Sequence, residues 1–146
     1  MHDAVGDFVE RYRSLGLNGT PCSTAELDRV EREASAPLPA AYKAYLLVAG
    51  REPPTAWVGS DCTIHDLPKL FAGAQHLLEE NKQPALPKQA FVFIMHQGYQ
   101  FKYFIADGSS DDPPVFHYLE GEPETVQQFE RLSDLLAVVA QDGRDA

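Results

Sequence analysis

The sequence predicts a single α+β domain: N-terminal helices first, an antiparallel sheet meander second, and a C-terminal helix packed with them. Three observations predict it. Apolar residues recur at helical spacing through roughly the first 80 positions and again near the end. Between Phe91 and Leu119 the pattern turns extended, with buried-type and alternating runs joined by short turns. The length of 146 residues is that of one domain, long enough to bury a core without disulfide or metal staples. Segregated runs of helix and strand of this kind indicate helices packed against a sheet.

The first helix is expected from Asp3 to Leu15, where Val5, Phe8, Val9, Tyr12 and Leu15 make one apolar stripe and Gly16 supplies the stop. The second opens at Ser23, which forms a capping box with Glu26. Leu27, Val30 and Ala34 are its inner face, and Pro37 ends it. Leu38-Pro39 opens the third, since proline fits a first helical turn whose N–H groups have no intrahelical partner. Tyr42, Tyr45, Leu46 and Ala49 follow on one face, and Gly50 closes it. Thr55 to Val58 and Cys62 to Ile64 read as a small hairpin around Gly59-Ser60-Asp61. Asp66 is placed to cap a fourth helix, Leu67 to Glu80, with Leu67, Leu70, Phe71, Ala74, Leu77 and Leu78 inward.

Phe91-Val92-Phe93-Ile94-Met95 reads as a buried strand, and His96-Gln97-Gly98 as a tight turn. Tyr99, Phe101, Tyr103 and Ile105 give the next strand one apolar face. After the loop Asp107 to Pro113 comes a third strand, Val115 to Leu119. A polar passage with Gly121 and Pro123 leads to a last helix, striped by Leu132, Leu135, Leu136 and Val139 and stopped at Gly143. Phe71, Leu77, Leu136, Tyr42 and Phe101 are expected in the core.

Charge is the first functional clue. Against 12 basic residues stand 22 acidic ones, a formal net charge of −10. Such a surface repels nucleic acid and anionic lipid and attracts basic proteins, so no nucleic acid and no membrane partner is expected. The plainer reading is that the charge keeps the protein soluble. No run approaches the roughly 18 apolar residues of a membrane helix, and no basic-then-apolar leader opens the chain. With two cysteines, Cys22 and Cys62, the sequence suits the cytoplasm, and both are expected as free, buried or half-buried thiols rather than a disulfide.

Signatures of chemistry are sparse. Gly59-Ser60-Asp61-Cys62 lacks the second glycine of a nucleophile elbow, and no phosphate-cradling or dinucleotide motif occurs. Cys62 and His65 are spaced like one ligand pair, but a structural zinc site needs two. Asp107-Gly108-Ser109-Ser110-Asp111 resembles a calcium loop without its closing glutamate, since the twelfth position is Tyr118. No catalytic residue, cofactor or metal is expected. What remains is acidic density: Asp107, Asp111, Asp112, Glu120, Glu122 and Glu124, six carboxylates within eighteen residues at strand ends. They read either as a solvated rim or as one contact patch for a basic protein, with Trp57 or Tyr118 exposed nearby as aromatic anchors.

The run Leu27-Asp28-Arg29-Val30-Glu31-Arg32-Glu33, then Leu38-Pro39-Ala40-Ala41-Tyr42-Lys43-Ala44-Tyr45-Leu46, closing at Gly50, resembles the N-terminal signature of the SUKH superfamily. The order of later elements agrees, and the similarity spans about Ala25 to Val139. This chain has Ala49 where the family often has Asn before the closing glycine, and Leu132 where the last helix often starts with Phe. The resemblance implies a binding role without catalysis. Bacterial members are immunity proteins that neutralise toxins, often nucleases, and the yeast members are cell-wall-assembly regulators. The first class implies a basic toxin domain as partner; the alternative is a regulatory adaptor that binds cellular proteins.

Overall fold

The computed structural model describes residues 3–145, with side chains described through residue 142. Helices α1 (Ala4–Ser14), α2 (Thr24–Ala34) and α3 (Ala40–Ala49) come first. A 3₁₀ turn (Thr55–Trp57), a two-residue strand β1 (Ser60–Asp61) and helix α4 (Leu67–Glu80) follow. Strands β2 (Ala90–His96), β3 (Gln100–Ile105), β4 (Val115–Leu119) and β5 (Val126–Phe129) lead into α5 (Leu132–Asp145). The five strands form one antiparallel sheet in chain order, so the expected α+β meander stands.

Both faces of the sheet are covered, which is why β2 is apolar at five successive positions rather than at alternate ones. Phe104 and Phe101, three apart on β3, point to opposite faces. On the first face Tyr42 of α3 packs against Phe91, Phe93 and Phe104 with ring centroids 5.2–5.9 Å apart. On the second, Met95, the partner of Phe101, lies against Gly73 of α4. A Cβ at Gly73 would stand 3.2 Å from Met95 Sδ, so glycine lets the helix approach the strand. Tyr42, Phe101, Leu77 and Leu136 are buried as expected. The Ser23–Glu26 capping box forms with both reciprocal bonds.

Several local expectations are corrected. Thr55–Val58 and Cys62–Ile64 do not pair with each other. Pro53-Pro54 seeds a 3₁₀ turn, closed by Trp57 N–H donating to the Pro54 carbonyl at 2.9 Å. Gly59, at φ +92°, then swings Ser60 and Asp61 onto the end of β2. Phe71 is 44% exposed rather than buried: at 100° per residue it falls on the margin of the stripe centred on Leu70, Ala74 and Leu77. Ala34 is exposed rather than inward: it lines an open groove with Leu67 and Phe71 of α4 and Phe91 of β2. Asp66 does not cap α4; its carboxylate turns back to accept from Cys62 N, Thr63 N and Thr63 Oγ. The polar passage before α5 contains β5, and Gly143 does not end α5, which continues to Asp145.

Candidate partner-binding surface

The loop between β3 and β4 holds three of the six carboxylates, and two of its acidic residues are structural. The Asp111 carbonyl accepts from Ala41 N at 2.9 Å. It thereby satisfies one of the open N–H groups of α3, whose N-terminal flank Pro39 has no side-chain acceptor. Asp112 reaches across to α5: one oxygen accepts from Ser133 N at 2.8 Å and the other from Ser133 Oγ at 2.6 Å. Ser133 is fully buried, so Asp112 caps that helix from twenty-one residues away. Asp107 accepts from Ser109 N at 2.9 Å, and hydrogen bonds from Ser109 hold its carboxyl below the usual range. The side chains of Asp107 and Asp111 are exposed.

The other three carboxylates lie elsewhere. Glu120, Glu122 and Glu124 are exposed on the β4–β5 turn, at the far end of β4 from the aspartates. The strand alone separates the groups by roughly 15 Å, so the glutamates and the aspartates stand at opposite ends of β4. The turn is held rigidly: Gly121 N donates to Asn81 Oδ1 at 2.8 Å, and Tyr118 Oη donates to the Glu122 carbonyl at 3.0 Å. The Asn81 bond brings the turn beside the end of α4, where Glu79 and Glu80 are also exposed. Immediately after it on β5 comes Val126, 48% exposed.

The expected aromatic anchors are not on the surface. Tyr118 is 1% exposed, its ring beside Phe101. Trp57 is 7% exposed, edge-on to Tyr45 at 5.7 Å. Each points inward because its backbone position faces the sheet core, a register that local sequence does not reveal.

Sequence reasoning also missed a concave site of about 250 Å³ on the α3-facing side of the sheet, roofed by the 3₁₀ turn. His96, Gln100, Lys102 and His117, from three strands, converge there with Ser60 and Trp57. The only signal was the polar alternation Gln100, Lys102 opposite the aromatic face of β3.

The remaining reactive groups are quiet. Burial pushes the Cys22 and Cys62 thiols up to about 11 and about 12, so both stay protonated at neutral pH. Among the described residues no three His, Cys, Asp or Glu side chains are grouped as metal ligands, and no helix is long and apolar enough to cross a membrane.

The profile of the SMI1 / KNR4 family (SUKH-1) matches residues 21–138, from just before α2 to well inside α5. The chain belongs to the SMI1 / KNR4 family (SUKH-1). No curated protein matches the chain. The residues that carried the SUKH resemblance have physical work in this member of the family. Glu31 accepts from Leu38 N at 3.2 Å and pairs with Lys43 at 3.0 Å, fixing the α2–α3 corner. Tyr42 is the hub of the aromatic core. Gly50 is obligatory by contact: a Cβ there would stand 2.5 Å from Cys22 Sγ and 2.9 Å from Leu46 Cα.

Proposed function

We propose that the chain is an immunity-type protein that binds and neutralises a cognate toxin domain of a bacterial polymorphic or contact-dependent system. A nuclease is the toxin class its charge suits best. The observation that carries this reading is the family match across residues 21–138 of a chain whose formal charge is −10. Nucleases are basic where they grip phosphates, so a carboxylate-rich protein competes for that surface. The protein acts by occupation and carries out no catalysis, cytoplasmic like the substrates it protects.

The partner-facing surface in this reading is the Glu120, Glu122 and Glu124 turn with Glu79 and Glu80 beside it, and Val126 as its apolar contact. Asp107 and Asp111 form a second, separate rim, while Asp112 is committed to α5. Exposed carboxylates of this kind set the association rate through steering more than the final affinity. The test is binding kinetics with the toxin domain encoded beside the gene, comparing the wild-type chain with the triple variant Glu120→Lys, Glu122→Lys, Glu124→Lys. Association is expected to slow about tenfold at low salt, and the difference to shrink at high salt. An unchanged rate and salt dependence would move the contact elsewhere. Absence of any complex would favour the alternative, a non-catalytic adaptor that binds cellular proteins.

A further inference from the structure

The pocket beneath the 3₁₀ turn is basic on an otherwise acidic molecule. Lys102 of β3 and His117 of β4 are register partners, and His96 of β2 lies one strand over, opposite Gln100. Among the described residues, no aspartate or glutamate lines it. Lys102 is half-buried, and its Nζ donates to the neutral Gln128 Oε1 at 2.6 Å rather than to a carboxylate. His117 Nε2 shares a 3.0 Å bond with Gln100 Oε1, and His96 Nδ1 a 2.8 Å bond with Ser60 Oγ. A desolvated ammonium with no anionic partner is an uncommon arrangement, because burying a charge is costly unless it is paired. Among the described residues, the titratable side chains lining the pocket are His96, Lys102 and His117; the 3₁₀ turn contributes none.

We propose that this pocket is a binding site for a single carboxylate group, carried by a small free acid or by an acidic side chain of a partner. The volume of about 250 Å³ suits one such group with a short stem. Lys102 supplies the counter-charge, while the histidines and Gln100 supply hydrogen bonds, and Trp57 and Ile94 give the stem an apolar wall. A carboxylate fits better than a phosphate: there is one lysine, no arginine fork and no helix N-terminus, so a doubly charged anion would be undercompensated. The pocket's own electrostatics agree. Burial draws Lys102 down to about 8, and burial together with Lys102 draws His117 down to about 4, both shifts that an incoming negative charge would relieve. The inference is independent of which protein meets the acidic turn.

Trp57 is the single tryptophan of the chain and lines the pocket, so its fluorescence reports occupancy. The full chain is titrated with sodium propionate, with an N-acetylated glutamate amide, with sodium chloride and with inorganic phosphate, at matched ionic strength. A saturable response to a carboxylate is expected, weakened at least about tenfold in Lys102→Gln, the loss of one charge-assisted bond. Lys88→Gln, which lies outside this pocket, should bind like the wild type. Response to propionate alone identifies a free acid as the source; comparable response to the blocked glutamate identifies a partner side chain. A second readout needs no variant: the His117 imidazole signal, followed by NMR, should titrate at higher pH with the ligand bound. A response no different from chloride, an unchanged affinity in folded Lys102→Gln, tighter binding of phosphate, or an unmoved His117 midpoint would overturn the proposal.

Discussion

Replacing Asp112 by alanine separates a structural aspartate from its exposed neighbours. The substitution removes both acceptors of Ser133, leaving a buried backbone N–H without a partner and a buried hydroxyl whose proton has no acceptor, its oxygen still reached by Arg11 Nη1 at 3.5 Å. Loss of a helix cap costs about 1–2 kcal/mol, and each stranded buried donor about 1–3. The two descriptions overlap, so about 2–4 kcal/mol is expected in total. At roughly 3 °C per kcal/mol for a domain of this size, the Tm should fall by about 6–12 °C. Asp111→Ala is the control: Asp111 acts through its carbonyl, which alanine keeps, so its stability should stay within about 0.5 kcal/mol of wild type. Urea unfolding followed by Trp57 fluorescence measures both variants. Equal stability of the two would refute the assignment of Asp112 as the cap of α5.

Other outcomes follow from the same contacts. Tyr42→Ala should destabilise by about 3–5 kcal/mol as a buried aromatic truncation, whereas Tyr42→Phe should be neutral or stabilising by up to about 1, because the buried Tyr42 hydroxyl has no hydrogen-bond partner; urea midpoints decide both. His117 is held down to about 4, so between that value and its ordinary range near 6.5 the unfolded chain binds more protons than the folded one. Stability contributed by neutral His117 is therefore present above the upper value and lost as pH falls through the window; in His117→Gln the slope of stability against pH should be shallower there, and an identical slope would contradict the buried placement. Gly50→Ala should destabilise by more than the roughly 0.5–1 kcal/mol that Gly-to-Ala exchange ordinarily changes, through the clash with Cys22, as measured by thermal unfolding.

How far the sequence reached depends on the range of the forces involved. Helix stripes such as Leu70, Ala74 and Leu77 and the Ser23–Glu26 box are local, and they were legible. Strand β5 was not, because Val126–Phe129 is a mostly exposed edge that gains its structure from backbone pairing with β4 rather than from its own side chains. The 3₁₀ turn was misread because β-branched composition outweighed the Pro53-Pro54 signal. Carboxylate density was visible, but its division was not: Asp112 answers to Ser133 across the fold, and β4 carries the glutamates away from the aspartates. Burial of Trp57 and Tyr118 depends on register. The Lys102 pocket draws on four strands and the 3₁₀ turn and has no contiguous signature at all.

Co-expression in a toxin-sensitive bacterial host tests most directly the proposal that this protein neutralises a toxin by binding it. The toxin domain encoded beside the gene is induced alone, with the wild-type chain, or with the Glu120, Glu122 and Glu124 charge-reversed chain at equal soluble levels. Growth is expected to stop with the toxin alone, to be restored by the wild-type chain, and to be restored weakly by the reversed chain. Continued growth arrest in the presence of abundant folded wild-type protein would contradict the account.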